Sequence, residues 1–334
     1  MTFIKRTGIK VTRRSALALA AGLSVSSGQT DVHRAIPADA LSKFGEAGRR
    51  KLLAGLSSTG YRGGIDGAIV KDLLRVEATT IDELMVKLLP LARIGSRPPL
   101  SDYNVGAVLL GVSNSLYLGG NIEVPGQALG LAVHGEQAAI ANAYMHGEDG
   151  VKALAVTAAP CGHCRQFLTE MVPGGGLRVL FPQASPTTLA ALLPMAFGPQ
   201  NLGRKQGALP IRAIRLELKA EDTAIAAALE AACRSYAPYT HSPSGVAVVT
   251  ASGRTFAGAY IENVAFNPSL SPLQTALAGV FGAGEDATGI VRVVLVEAED
   301  ARISQKASTE ATLASLAPAA RLETYRAVRV LRPA

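Results

Sequence analysis

The sequence predicts an α/β fold: a three-layer α-β-α sandwich on a mixed sheet, present twice and preceded by a small helical domain. Three observations carry this expectation. Between residues 104 and 193, short apolar runs of strand length alternate with segments of helical length. Between residues 215 and 334 the same order of segments recurs. Residues 33–95 show helical periodicity alone.

Taken in order, residues 1–30 carry no acidic side chain and place Thr12-Arg13-Arg14 ahead of an alanine- and leucine-rich stretch ending at Leu23. Residues 1–32 thus form a basic leader resembling a twin-arginine signal or an organellar presequence, or else a disordered extension. The expected location is cytoplasmic, with export or organelle import through this leader as the alternative. Ala40, Leu41, Phe44, Leu52 and Leu53 make one amphipathic run. Ile81, Leu84, Met85, Leu88 and Leu89 make another, with Asp82 and Glu83 in its first turn and Pro90 limiting or kinking it. Residues 33–95 are therefore read as a helical N-terminal domain.

Arg97-Pro98-Pro99-Leu100-Ser101 is a break. Residues 104–112 and 116–123 read as strands about a Ser113-Asn114-Ser115 turn. A helix after His134, a strand at 154–159, a helix at 164–171, a strand at 177–181 and a helix near 189–193 complete a domain over 96–198. Glycine and proline mark 199–214 as a linker. In residues 215–334, a helix at 224–233 matches the one before Pro90, and Ser244-Gly245-Val246-Ala247-Val248-Val249 answers the first strand. Gly258-Ala259-Tyr260-Ile261-Glu262 answers Gly119-Gly120-Asn121-Ile122-Glu123, and strands at 291–296 and 327–331 complete a second sheet.

Composition excludes several classes. The net charge is +7, but residues 1–34 hold +5 of it, leaving +2 for residues 35–334. A phosphate-tracking groove is not indicated. Aromatic residues are 5% with no tryptophan, a poor basis for stacking single strands, so no nucleic-acid partner is expected. No apolar run is long enough to cross a membrane as a helix. Three cysteines, two of them in one motif, argue against a disulfide framework and for a reducing compartment.

The chemistry concentrates between His134 and Cys164. His134, Cys161 and Cys164 offer an imidazole and two thiolates, ligands suited to one tetrahedral Zn2+ per chain. Three protein ligands leave a position for water, the pattern of a catalytic rather than a structural zinc, and such a metal can lower the pKa of water from about 15.7 to about 7. Glu136, two residues after a ligand, is placed to carry protons between water and substrate. The apolar run after Glu136 suggests a buried helix opened by His134 and Glu136, and the cysteines are expected to open another, where helix N-termini favour thiolates. His163 is read as a turn residue, Arg165 as an outer partner of the thiolates, and Cys233 as core.

His-x-Glu followed by Pro-Cys-x-x-Cys is the arrangement of the zinc nucleobase deaminases. With Ser101-Asp102-Tyr103-Asn104-Val105-Gly106-Ala107, Gly119-Gly120-Asn121-Ile122-Glu123 and Ala159-Pro160-Cys161-Gly162-His163-Cys164-Arg165-Gln166-Phe167, the chain resembles the cytidine deaminase family, specifically its two-domain homodimeric branch, over roughly residues 80–330. The resemblance implies a catalytic domain at 96–198 and hydrolysis of cytidine and deoxycytidine to uridine and deoxyuridine in pyrimidine salvage. It implies Glu136 as the catalytic proton carrier and Asn121 and Glu123 as ribose-binding residues. Tyr103 and Phe197 are implied against the base; Gly135, where the family usually has alanine, lies beside it. Ser271-Pro272-Leu273-Gln274 stands where His134-Gly135-Glu136-Gln137 would recur, so the second copy has no zinc ligands and is expected to be structural. In that branch it builds the homodimer and helps close the neighbouring subunit's site, which would involve Phe266 and Asn267. The alternatives are a deaminase acting on cytidine nucleotides or nucleic acid, and a non-catalytic zinc-stabilised scaffold.

Overall fold

Two mixed sheets carry the fold in this computed structural model, which describes residues 36–59, 63–172 and 175–330. The leader expected over residues 1–32 lies outside them. The first half runs through α1 (Glu46–Thr59), β1 (Gly64–Ile65), α2 (Gly67–Val76), α3 (Ile81–Ala92), β2 (Gly106–Gly111), β3 (Leu116–Gly120), α4 (Gly135–Met145), β4 (Val151–Val156), α5 (Gly162–Met171), β5 (Arg178–Leu180), β6 (Thr187–Thr188) and α6 (Leu189–Leu192). The second runs through β7 (Leu216–Glu217), α7 (Thr223–Cys233), β8 (Ser244–Thr250), β9 (Thr255–Ala259), α8 (Pro272–Gly282), β10 (Ile290–Ala298), α9 (Lys306–Leu316) and β11 (Arg321–Arg329).

Strand order is β1-β3-β2-β4-β5-β6 in one sheet and β7-β11-β10-β8-β9 in the other. In each, a hairpin (β2–β3, β8–β9) is followed by an antiparallel neighbour (β4, β10) and then a parallel one (β5, β11). The expected duplication is therefore visible in topology and direction alike.

Period-2 alternation assigns the layers. Ala107 and Leu109 of β2 face a central core with Ile140 and Tyr144 of α4, Leu277 and Phe281 of α8, and Val248 and Leu295 of the second sheet. Val108 and Leu110 face the other way, into a core with Leu84, Met85 and Leu88 of α3. Ala247, Val294 and Val296 face α7 through Ala228 and Ala232. Helices α4 and α8 thus lie between the two sheets, with α3 and α7 outside. A reciprocal capping box starts α3, since Glu83 N–H donates to Thr80 Oγ1 and Thr80 N–H to Glu83 Oε2. The helix then continues through Pro90 to Ala92, with Leu88, Leu89 and Leu91 buried.

Two glycines let the central helices reach the sheets. A Cβ on Gly119 would overlap the backbone of Gly135 and Ala139, and one on Gly258 would overlap Pro272 and Ala276. The contact is backbone on both sides, so no rotamer change relieves it. Gly119→Ala is expected to destabilise the protein by about 3 kcal/mol, read as a lowered melting temperature; an unchanged one would show that α4 can shift away at no cost.

Some expectations are adjusted. The segment 33–95 is not set apart: β1 pairs with β3, and α3 shares a core with β2 and β3. Residues 199–214 do not hang free, because Ala208 is buried in the central core and its N–H donates to the Glu170 carbonyl. The last strand begins at Arg321 rather than 327. Its Arg321, Glu323 and Tyr325 form a polar face, with Arg292 of β10 bound to Glu323, so it lacks the apolar pattern of a buried strand. Helix α9 has no clear apolar stripe and escapes sequence reading for the same kind of reason.

Candidate active site

Helices α4 and α5 begin side by side, and each is immediately preceded by a sulfur or nitrogen ligand. His134 sits before α4, where its N–H donates to Gln137 Oε1 at 3.1 Å. Cys161 sits before α5, and Cys164 lies buried in that helix's first turn. The ligand atoms of His134, Cys161 and Cys164 all lie within 4.8 Å of one another, and among the described residues no other such His, Cys, Asp and Glu group converges. Cys161 Sγ is 3.4 Å from His134 Nδ1 and 3.6 Å from Cys164 Sγ. A tetrahedron with zinc–sulfur and zinc–nitrogen bonds of about 2.3 and 2.0 Å has edges of about 3.5 Å (N–S) and 3.8 Å (S–S), so the residues fit the ion.

The protons agree with that fit. The Cys161 and Cys164 sulfurs share one hydrogen bond, and the amides of Cys164 and His163 also point at Cys161 Sγ, holding Cys161 down at about 4. The same shared proton, with burial, pushes Cys164 up. A divalent cation held by His134, Cys161 and Cys164 would take the place of that proton.

Glu136 is 4% exposed, and burial pushes its carboxyl above the ordinary carboxylate range against the pull of its own amide and of His134. It is in hydrogen-bonding contact with Cys164, which places it against the ligand group. A carboxyl raised above its ordinary range by burial is suited to take up and return a proton.

Asn121 and Glu123 flank Ile122, whose backbone bridges Arg97 and Val133 while its side chain enters the core. Both polar side chains therefore leave the other face, as the alternation predicts. Asn121 Oδ1 accepts from Val105 N–H at 2.8 Å and from the Ser96 hydroxyl, and its Nδ2 donates to the Tyr103 carbonyl at 2.9 Å. Glu123 accepts from the N–H groups of Leu100 and Ser101 at 2.8 and 3.0 Å, and from the Ser101 hydroxyl. Partial burial raises its pKa, but the Ser101 and Leu100 donors outweigh that and hold it below the ordinary value. A cavity of about 290 Å³, lined among others by Ser101, Glu123, Leu129, Ala132 and His134, joins this carboxylate to His134 of the ligand group.

The rings of Tyr103 and Phe197 stand 60% and 46% exposed, outside the residues lining that cavity. At Gly135 a Cβ would lie 3.0 Å from Val105 Cγ1, so valine occupies the space an alanine methyl would need. His163 belongs to α5 rather than to a turn; its ring stacks on His134 at 5.2 Å and its Nε2 accepts from Gln137 Nε2. Arg165 does not reach the thiolates: it donates to the carbonyls of Pro160 and Leu192, tying the cysteine loop to α6. Sequence reasoning missed Ser96, Ser101 and Gln137. Ser101 lay inside a quoted motif, and only a search for donors opposite Glu123 would have found it.

The second copy repeats the clamp without the ligands. Glu262 accepts from the N–H groups of Tyr239 and Thr240 and from the Thr240 hydroxyl, as Glu123 does from Leu100 and Ser101. Tyr260 stands where Asn121 does, in hydrogen-bonding contact with Ser269, Gln305 and Glu262.

Residues 78–174 and 189–310 each match the family described as the cytidine and deoxycytidylate deaminase zinc-binding region. A cytidine deaminase of Vibrio parahaemolyticus is 44% identical over 248 residues, 74% of this chain and 84% of its own. One from Sodalis glossinidius is 42% identical over 292 residues, 84% of this chain and 94% of its own. A crystal structure of cytidine deaminase from Mycobacterium tuberculosis is similar at 29% identity over 36% of this chain and 99% of its own, with a TM-score of 0.33. Identity of this order, running from the outer helices through the metal-free copy, means that the chain belongs to the cytidine deaminase family.

Proposed function

We propose that this protein hydrolyses cytidine and deoxycytidine to uridine and deoxyuridine with release of ammonia. The observation that carries the reading is a buried carboxyl, Glu136, in contact with a three-ligand group that opens onto a cavity ending at a second carboxylate, Glu123. His134, Cys161 and Cys164 would hold zinc, which supplies a water acidified to near neutral pKa. Glu136 would take a proton from the attacking water and pass it to N3 of the base, then take the proton of the C4 hydroxyl so formed and pass it to the amino group as it leaves. The ionised Glu123, with Asn121, receives the ribose hydroxyls at the far end, and the rings of Tyr103 and Phe197 are assigned to the base.

The cavity favours a nucleoside over a nucleotide. None of its lining residues is Lys or Arg, and Glu123 would repel a 5′-phosphate. No helix among the described residues is long and apolar enough to cross a membrane. Leu129, Met195 and Phe266 are exposed apolar side chains that we assign to a homodimer interface, as in the two-domain branch. The three free cysteines suit a cytoplasmic location, with export through the leader as the alternative.

The test is loss of cytidine absorbance by purified protein, with and without a chelator, run beside deoxycytidylate and single-stranded DNA. Zinc-dependent turnover of the nucleosides alone is expected; a zinc-loaded sample inert toward cytidine would remove the reading. Glu123→Ala is expected to raise KM for cytidine by roughly tenfold, the loss of a hydrogen bond to a charged group. An unchanged KM would take Glu123 out of the substrate site.

A further inference from the structure

Beyond the catalytic residues, one further carboxyl is enclosed by the metal-free copy, that of Glu170. It lies in the last turn of α5, the helix whose start carries Cys161 and Cys164, and it is fully buried. One carboxylate oxygen accepts from the hydroxyls of Tyr236 and Tyr239, each at 2.6 Å. The other accepts from Val264 N–H at 2.9 Å. Every one of these donors belongs to the metal-free copy. One turn back, Asn263 of the same copy donates to the Gln166 carbonyl at 3.0 Å, and Gln166 Nε2 contacts Asn263 Oδ1 at 3.3 Å and donates to the Phe197 carbonyl at 2.7 Å. Tyr239 packs against Phe266 at 6.5 Å and gives its N–H to Glu262.

A buried carboxylate is costly unless its acceptor sites are filled, and an apolar side chain would fill the same volume without that cost. What a carboxylate adds is direction, since two hydroxyls and one amide fix the roll and depth of the helix end. Burial pushes both tyrosine hydroxyls up, so they remain donors at neutral pH.

We propose that Glu170 is a positioning residue: through Tyr236, Tyr239 and Val264, the metal-free copy locks the cysteine helix so that both thiolates are held for the metal and the reaction. The inference rests on the deaminase reading above. It gives the second copy a task inside its own chain, separate from any part in dimerisation.

The test uses the full zinc-loaded chain, comparing wild type with the double variant Tyr236→Phe/Tyr239→Phe, with Glu170→Gln and with Glu170→Leu. The readouts are kcat and KM for cytidine well below the melting temperature, and the rate of zinc transfer to a chromogenic chelator. The double variant keeps the rings and loses both donors; its kcat is expected to fall roughly tenfold and its zinc release to quicken by a similar factor, with KM within about twofold. Glu170→Gln still accepts from Val264 and donates its amide to the tyrosine oxygens, so it should stay within about threefold of wild type. Wild-type kcat and zinc release in the double variant, with only the melting temperature lowered, would overturn the proposal. Should Glu170→Leu not fold, the tyrosine pair decides alone. If wild type itself fails to turn over cytidine, the deaminase reading falls, and unchanged zinc release in the double variant still overturns the role of Glu170.

Discussion

Glu136→Gln is expected to lower cytidine turnover by roughly 10²–10⁴-fold while leaving one zinc per chain. The substitution keeps size and planarity at a position only 4% exposed, so the helix start and the nearby ligands have no reason to move. It removes the one property the reaction needs, a group that gains and loses a proton. Burial already holds the Glu136 carboxyl above the ordinary range; an amide does not titrate at all. Because the change replaces a charge that burial disfavours, the melting temperature should be kept or raised. Three measurements separate the possibilities: metal content, melting temperature and kcat. Zinc retained with kcat lost is the expected combination. Near-wild-type kcat would assign proton transfer to another group, and loss of zinc with kcat would make Glu136 a support for the ligands.

How much of this was readable from residues alone follows physical lines. The ligand set was legible because metal chemistry demands particular residue types at particular spacings, and His134, Cys161 and Cys164 do converge. The duplication was legible through matched segments such as those around Gly119 and Gly258, where close helix–strand approach admits no side chain. The clamps on Asn121 and Glu123 were not. Ser96, Leu100 and Ser101 act through positions brought together by a crossing of the chain, and such partners leave no periodic trace. Nothing in the sequence says that Tyr236, Tyr239 and Val264 will surround Glu170. Arg165 was drawn toward the thiolates by adjacency, yet its guanidinium satisfies carbonyls of Pro160 and Leu192 on the other side of the loop. The outer helices were read as a domain because amphipathic periodicity reveals a buried face without naming what covers it; here it is β2 and β3.

Cys161→Ala is expected to empty the metal site and abolish turnover together. The exposed Cys161 is the better probe than the buried Cys164, because removing it opens no core cavity, so a loss of activity reports on the metal rather than on packing. Two remaining ligands cannot enclose zinc as three do; zinc content should fall below roughly one tenth per chain after dialysis, with the fold kept. The proton count gives an independent reading. In the chelated protein Cys161 is already a thiolate at neutral pH, with its pKa down at about 4, while Cys164 is protonated. Adding zinc to chelated wild type at pH 7 should therefore release about one proton from the cysteine pair, not two. Two released protons would mean that the Cys164 thiol does not stabilise its neighbour in solution. Full zinc occupancy in Cys161→Ala would mean that this sulfur is not a ligand, and the hydrolytic mechanism would then lack its source of activated water.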